Sequence, residues 1–177
     1  IIYVNDNNNR QQKSAHFVDH GLPHRGINQL FTRSSSLFMK QNLWENTMKR
    51  LLIFFAAGCL GAIVNSLVVW LSGDLGITRS LGVSISPALK PSWLYPRIVW
   101  GGIFGFLFFL PVLKSKPFSK GTLLSLFPTM VQLFIVFPFQ TKQGMAGIKL
   151  GMLTPAFVFV FNWVWGVVTS LTIRYSK

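Results

Sequence analysis

The hydrophobic residues of this chain are gathered into four long runs, at about residues 51–72, 96–113, 121–139 and 152–173. The first of them holds 22 residues without a single charge. As a helix it would reach roughly 33 Å, enough to cross a hydrocarbon core of about 30 Å. The pattern predicts an all-α integral membrane bundle of four transmembrane helices within residues 48–177.

The polar residues are concentrated at the other end of the chain, in residues 1–47. This part contains Asn, Gln and Ser tracts, and no helical or strand period persists through it. We therefore predict a disordered polar N-terminal extension. The composition changes at Met48, and Met48-Lys49-Arg50 before an apolar run is how a bacterial membrane protein commonly starts. Our hypothesis is that residues 1–47 are an upstream translated leader or a disordered extension.

Basic residues outnumber acidic ones by 17 to 4, for a net charge of +13. From Met48 onward there are twelve Lys or Arg residues and one acid, Asp74, and nearly all of them lie between apolar runs. This placement indicates charges that orient a protein in a lipid bilayer, and it argues against nucleic acid as a partner.

The distribution of these charges predicts the orientation. With four spans, seven basic residues fall on the side of both termini: Lys49, Arg50, Lys114, Lys116, Lys120, Arg174 and Lys177. Five fall on the other side, where Asp74 accompanies them: Arg79, Lys90, Arg97, Lys142 and Lys149. Since Lys and Arg are retained on the cytoplasmic side, we predict a multi-pass protein of the bacterial cytoplasmic (inner) membrane with both termini in the cytoplasm.

Particular residues near the ends and middles of the spans predict local structure. Arg97 is predicted to snorkel outward from a second helix that starts near Tyr95 or Pro96. Pro128 predicts a kink in the third span, because it removes one backbone hydrogen bond. Thr154 and Pro155 predict the cap of the fourth helix. The connection of residues 73–97 before the second span is interpreted as an interfacial connector.

Small residues recur along two of the spans. Gly58, Ala62 and Ser66 are spaced every four residues in the first span, and Gly101 and Gly105 form a G-x-x-x-G pair in the second. Such faces allow two helices to approach closely. We predict that they pack the bundle, and they also offer a surface for a homo-oligomer or for another membrane protein.

Three amide side chains fall near the midpoints of their spans: Asn65, Gln132 and Asn162. An amide that faced lipid would leave its donors and acceptors unsatisfied, so all three should point into the bundle. One interpretation is interhelical hydrogen bonding, worth about 0.5–2 kcal/mol for each amide. The other is a small polar binding site or permeation path.

Apart from Arg97 at the edge of the second run, the predicted spans contain no Asp, Glu, His, Lys or Arg. Acid–base catalysis needs a carboxylate, a histidine or an equivalent group. Past Met48 the chain offers only Asp74 and no histidine, so we predict no enzyme and no cofactor.

Metal binding is also unsupported by the sequence. His16, His20 and His24 have a four-residue spacing, but Gly21 and Pro23 interrupt any helix that would align them. The single cysteine, Cys59, excludes an internal disulfide and a cysteine-based zinc site.

Cys59 leaves one alternative for the first span. The sequence Ala56-Ala57-Gly58-Cys59 resembles a lipoprotein signal with its modified cysteine. A cleaved signal should give way to polar residues, whereas the chain stays apolar through Leu71. We favour an uncleaved helix.

Several short motifs resemble the YagU-like small bacterial inner-membrane proteins. They are Lys114-x-Lys116, Gly121, Gln132-Leu133-Phe134, Phe137-Pro138 and the tryptophan-rich last span that ends at Arg174. The resemblance covers the first span and about residues 102–174, and the first extramembrane connection is shorter here. It implies a four-helix inner-membrane protein and carries over no catalytic residue.

Two functional hypotheses follow. The first is a non-enzymatic accessory or membrane-structuring component. The alternative is a subunit of a small oligomeric transporter or channel, with a polar site at Asn65, Gln132 and Asn162.

Overall fold

The computed structural model describes residues 24–113 and 116–176, and the side chains from residue 37 onward. The chain divides into two compact units, Ile1–Asn46 and Thr47–Lys177. Every regular element in the described ranges is helical, which confirms the all-α prediction. The packing and the cavities discussed below belong to the second unit.

The first helix, α1, runs from His24 to Asp74 and is 51 residues long. It contains the predicted first span, residues 51–72, but begins well before it. Residues 24–47, predicted to belong to a disordered extension, are helical in the structure, while residues 1–23, with His16 and His20, lie outside the described residues. The reason is that residues 27–50 contain neither proline nor glycine. A helix can therefore form there although no apolar stripe predicts it.

The connection after α1 is partly ordered by hydrogen bonds. It contains a one-turn helix, α2 (Ile77–Ser80), and then an irregular stretch that leads to α3. The buried side chain of Val83 and the backbone N–H of Ser84, which donates to the Leu150 carbonyl at 2.7 Å, hold this stretch against the segment before the last helix.

The second apolar run forms a shorter helix than the sequence predicts. Helix α3 runs from Pro91 to Gly105, and a 3₁₀ turn, Phe106–Phe109, continues it. The predicted start near Pro96 and end at residue 113 are both wrong. Proline is favoured in the first helical turn, and here Pro91 occupies that position while Pro96 lies inside the helix.

The third run is broken into three segments. These are α4 (Pro117–Leu124), α5 (Leu126–Val131) and a π-helix, Gln132–Gln140. The helix is interrupted between Leu124 and Leu126, although the Ser125 N–H still donates to the Gly121 carbonyl at 3.0 Å and the Thr129 N–H to the Ser125 carbonyl at 3.3 Å. Pro128 has no N–H to bond the carbonyl four residues earlier, so an interruption at this point agrees with the kink predicted from the sequence.

The chain then forms a 3₁₀ segment, Met145–Leu150, and the last helix, α6, Thr154–Tyr175. Pro155 lies in the first turn of α6 as predicted. Thr154 does not cap the helix with its side chain, because its buried hydroxyl has no hydrogen-bond partner among the described residues.

Three stretches of the described residues are long and apolar enough to cross a membrane: Leu37–Asp74, Pro117–Gln140 and Thr154–Tyr175. They correspond to the first, third and fourth predicted spans. Helix α3 has only 15 residues and is not among them.

The core of the second unit is built around Trp165 of α6, which is 2% exposed. The buried side chains of Phe54, Ala57, Ala62, Phe108 and Leu124 belong to the same cluster. Leu133, Phe137 and Val158 form a second, smaller cluster. The core therefore joins α1 and α6 to the segments that follow α3 and begin the third run.

Candidate functional site

A cavity of 510 Å³ lies between the helices of the second unit. It is lined by residues of α1, α3, α5, the π-helix and α6. Most of the lining is apolar, with aromatic rings at Trp100, Phe104 and Trp165. A cavity of this size is in the range of pockets that hold small molecules.

The three amides predicted from the sequence all line this cavity. Asn162 of α6 donates a hydrogen bond from Nδ2 to Oε1 of Gln132 at 3.3 Å. Asn65 and Asn162 are each 5% exposed. The three predicted amides come from three different helical segments, and the π-helix adds a fourth, Gln140, so the site exists only when these segments are packed.

Asn65 is the exception to the pairing of the amides. Its Oδ1 atom is buried and has no hydrogen-bond partner among the described residues. An acceptor left in this state costs about 1–3 kcal/mol. Asn65 therefore carries, beside the cavity, a buried acceptor that no described residue satisfies.

The irregular helix around Gln132 explains the position of that side chain. Thr129 donates from its hydroxyl to the Ser125 carbonyl at 2.8 Å, which supports the backbone beside the break. The π-helix begins at Gln132, where the wider turn changes the direction of the side chains that follow. Such wide turns are frequent at functional sites.

Arg97 also lines the cavity, contrary to the prediction that it snorkels outward. Its Nε donates to the hydroxyl of Ser66 at 3.0 Å. Its guanidinium lies 4.7 Å from the centre of the Trp93 ring, one turn away on α3. The prediction is wrong because α3 begins five residues earlier than expected, so that Arg97 falls within the helix and meets Ser66 of α1.

The predicted small-residue faces meet in the structure. A methyl group added at Gly58 would overlap the carbonyl of Gly101, and one added at Gly105 would overlap the carbonyl of Phe54. A methyl group at Gly101 would collide with Cβ of Ala62. These contacts run in opposite directions along the two helices, so α1 and α3 pack antiparallel through their glycines.

Trp165 connects this glycine contact to the cavity. Its indole Nε1 donates to the Gly58 carbonyl at 3.1 Å, and its ring lines the cavity. Helix α6 is thereby attached to the place where α1 and α3 are closest.

A second glycine contact, which was not predicted from the sequence, lies between α4 and α6. A methyl group at Gly121 or at Gly166 would overlap the backbone carbonyl of the other residue. Ser170 donates to the Pro117 carbonyl at 2.6 Å one turn away. The signal was present, because Gly121 and Ser125, like Gly166 and Ser170, are small residues four positions apart.

A second cavity, of 720 Å³, is lined by three basic residues, Arg50, Lys120 and Arg174. Lys120 donates from Nζ to the carbonyls of Phe108 and Leu110 at 2.9 and 2.8 Å. The guanidinium of Arg50 lies 5.9 Å from the centre of the Phe54 ring. The lysine thus covers carbonyls that the end of the 3₁₀ turn leaves without helical partners.

The remaining sequence candidates are dispersed. His24 is the first residue of α1, Cys59 lies in the middle of it and Asp74 is exposed at its end. Within residues 24–113 and 116–176 no group of three His, Cys, Asp or Glu residues is arranged to hold a metal ion. None of these residues lines the 510 Å³ cavity.

No protein-family model, curated protein or solved structure matches this chain. The resemblance to YagU-like proteins therefore stays a prediction. The site has to be interpreted from its own geometry.

Proposed function

We propose that this protein is a multi-span membrane protein that binds a small molecule in the 510 Å³ cavity without chemical change, as a subunit of a small transporter or channel. One observation supports this most directly: Asn65, Gln132 and Asn162 come from three helical segments and line one cavity together with Arg97. Packing alone would not require a cavity at the place where the polar side chains converge.

The membrane location is supported by the three long apolar helices. For a fourth crossing, the 15 residues of α3 supply about 22 Å and the four residues of the 3₁₀ turn about 8 Å. Their sum of about 30 Å matches the hydrocarbon thickness. We therefore retain the four-span topology as part of the proposal.

The orientation is supported by the second cavity. Arg50, Lys120 and Arg174 belong to three different segments that the sequence analysis assigned to one side of the membrane, and all three line this cavity. Basic residues that collect at one end of a bundle favour the cytoplasm for that end. We propose the bacterial inner membrane as the location.

Binding is proposed rather than catalysis because of the side chains that line the cavity. Amides and a guanidinium orient a ligand through hydrogen bonds, but they do not exchange protons near neutral pH. The single carboxylate after Met48, Asp74, is exposed and does not line the cavity.

The accessory or membrane-structuring role is the second candidate. The glycine contacts of α1 with α3 and of α4 with α6 favour it, because they describe a bundle built for close packing. The architecture implied by the YagU-like resemblance is compatible with both candidates.

Thiol accessibility distinguishes the two. In a Cys59→Ala background, Val136→Cys would place a thiol in the lining of the cavity, and Phe134→Cys would place one at an exposed position of the same π-helix that does not line it. We expect an aqueous, membrane-impermeant thiol reagent to modify the cysteine at 136 at least tenfold faster than that at 134 in intact membranes. Complete protection at 136 would favour the accessory role.

A further inference from the structure

The position of Arg97 in the bundle is unusual for a cation. Its partner Ser66 lies six residues before Ser72, the last residue of the predicted first span on α1. Six helical residues correspond to about 9 Å. If α1 crosses the bilayer as proposed, the guanidinium lies about that far inside the apolar layer, where a charged side chain is a functional-site candidate by default.

The protein does not neutralise this charge. Among the described residues Arg97 forms no ion pair, and its partners are the hydroxyl of Ser66 and the ring of Trp93. Only Nε takes part in the hydrogen bond, so the two terminal nitrogens of the guanidinium have no hydrogen-bond partner in the described part of the chain. The planar pair of donors on an arginine matches two oxygens of a carboxylate or a phosphate.

The rest of the cavity defines the remainder of the ligand. Trp100, Phe104 and Ile135 line it with apolar surface. A ligand that fits these features has an anionic oxygen headgroup at one end and an apolar body.

We infer that the cavity takes a single-tailed amphiphile whose carboxylate or phosphate headgroup is bound by Arg97. The inference rests on the proposed function and names the class of ligand for the same cavity. The apolar lining receives the tail. The negative charge of the headgroup pairs with the guanidinium of Arg97, which has no counter-ion among the described residues.

Native mass spectrometry of the full chain in a neutral detergent tests this with three probes of equal tail length: decanoate, decyl phosphate and decanamide. We expect the two anions to occupy the protein one to one, and to bind at least tenfold more tightly than the neutral amide. The ratio of decanoate to decyl phosphate shows which headgroup is preferred.

Two variants locate the headgroup. Arg97→Gln removes the charge and should lower the affinity for both anions at least tenfold while leaving decanamide unchanged. Arg79→Gln removes a charge from an exposed position in the connection before α3 and should change neither. If Arg97→Gln fails to fold, the role of Arg97 is tested by two other measurements: the affinity of Arg97→Lys for the two anions, and the preference of the wild type for the anions over decanamide.

The outcomes separate the two proposals. If decanamide binds the wild type as tightly as decanoate, or if Arg97→Gln keeps the preference for anions, the assignment of the headgroup to Arg97 is overturned and the proposed binding cavity stands. If none of the three probes binds, both are overturned, because an apolar tail of this kind should enter any open amphipathic cavity of this size.

Discussion

Helix α1 passes through two regions that differ sharply within two turns. Around Gly58 its backbone lies against the backbone of α3, with no room for a methyl group. Around Asn65 and Arg97 the same two helices border a 510 Å³ cavity, and the described residues supply neither a donor to Oδ1 of Asn65 nor an acidic partner to Arg97. The glycine contact holds the helices in place, and the neighbouring turns can therefore carry polar groups that contribute little to packing.

The difference also shows in where hydrogen bonds are made. In the glycine region the buried donor of Trp165 is used by the Gly58 carbonyl. In the cavity one amide pair is formed at the long distance of 3.3 Å, and Oδ1 of Asn65 is left over. A region selected only for stability would satisfy both. The contrast supports a division of labour between a structural and a binding region.

The largest expected effect comes from filling the glycine contact. Gly58→Leu must displace the backbone of α3, since a Cβ alone already overlaps the Gly101 carbonyl. We expect a loss of about 3 kcal/mol or more, a fall in Tm of roughly 6–12 °C in thermal unfolding. Ala56→Leu, at an exposed position of the same helix, is the matched control and should leave Tm within about 2 °C. Equal Tm values for both variants would contradict the close contact.

Trp165→Phe should have an intermediate effect. It removes the indole donor to Gly58 and part of the buried ring, so we expect a loss of about 1–3 kcal/mol of unfolding free energy, measured by chemical denaturation in detergent. Trp100→Phe is the control, since Trp100 is 55% exposed. A larger loss for Trp100→Phe would show that the core is not centred on Trp165.

The amide pair should contribute less. Asn162→Leu and Gln132→Leu each leave the other amide without its partner, and we expect each to cost about 0.5–2 kcal/mol. In a double-mutant cycle their coupling should be about 0.5–1.5 kcal/mol, because the hydrogen bond is long and partly buried. A coupling of zero would mean that the two side chains do not meet.

The smallest effect, and one of opposite sign, is expected for Asn65→Leu. This change removes a buried acceptor that has no partner among the described residues, so stability should stay the same or rise by up to about 1 kcal/mol. If Asn65→Leu is strongly destabilising, Asn65 belongs to the structural region and the comparison drawn above fails.

The predicted bounds of the last span were close to α6, whereas those of the second were wrong. Residues 152–173 become Thr154–Tyr175 because the run is long and uncharged and has a proline, Pro155, in the first turn of the helix. Residues 96–113 mix two prolines, several glycines and aromatic residues, so hydropathy alone did not show which proline opens the helix. The same rule for proline at a helix start applies to Pro91, one turn and a half earlier.

The amides and Arg97 illustrate a similar limit at the site. The cost of exposing an amide to lipid depends only on depth in a span, so the inward direction of Asn65, Gln132 and Asn162 could be predicted. Arg97 was assigned to the flank of a span because charges normally mark the ends of apolar runs. Its inward position depends on Ser66, a partner 31 residues away on another helix.

The amino-acid sequence by itself determined the helical class, the apolar segments and the polar residues at mid-depth, because these follow from local composition and from the cost of burying polar groups in an apolar layer. Only the tertiary structure decided that α1 and α3 meet at their glycines, that the third run breaks into α4, α5 and a π-helix, and that five polar side chains share one cavity. These features depend on which surfaces fit against each other. The sequence of a single segment does not show whether its surface is complementary to that of a distant segment.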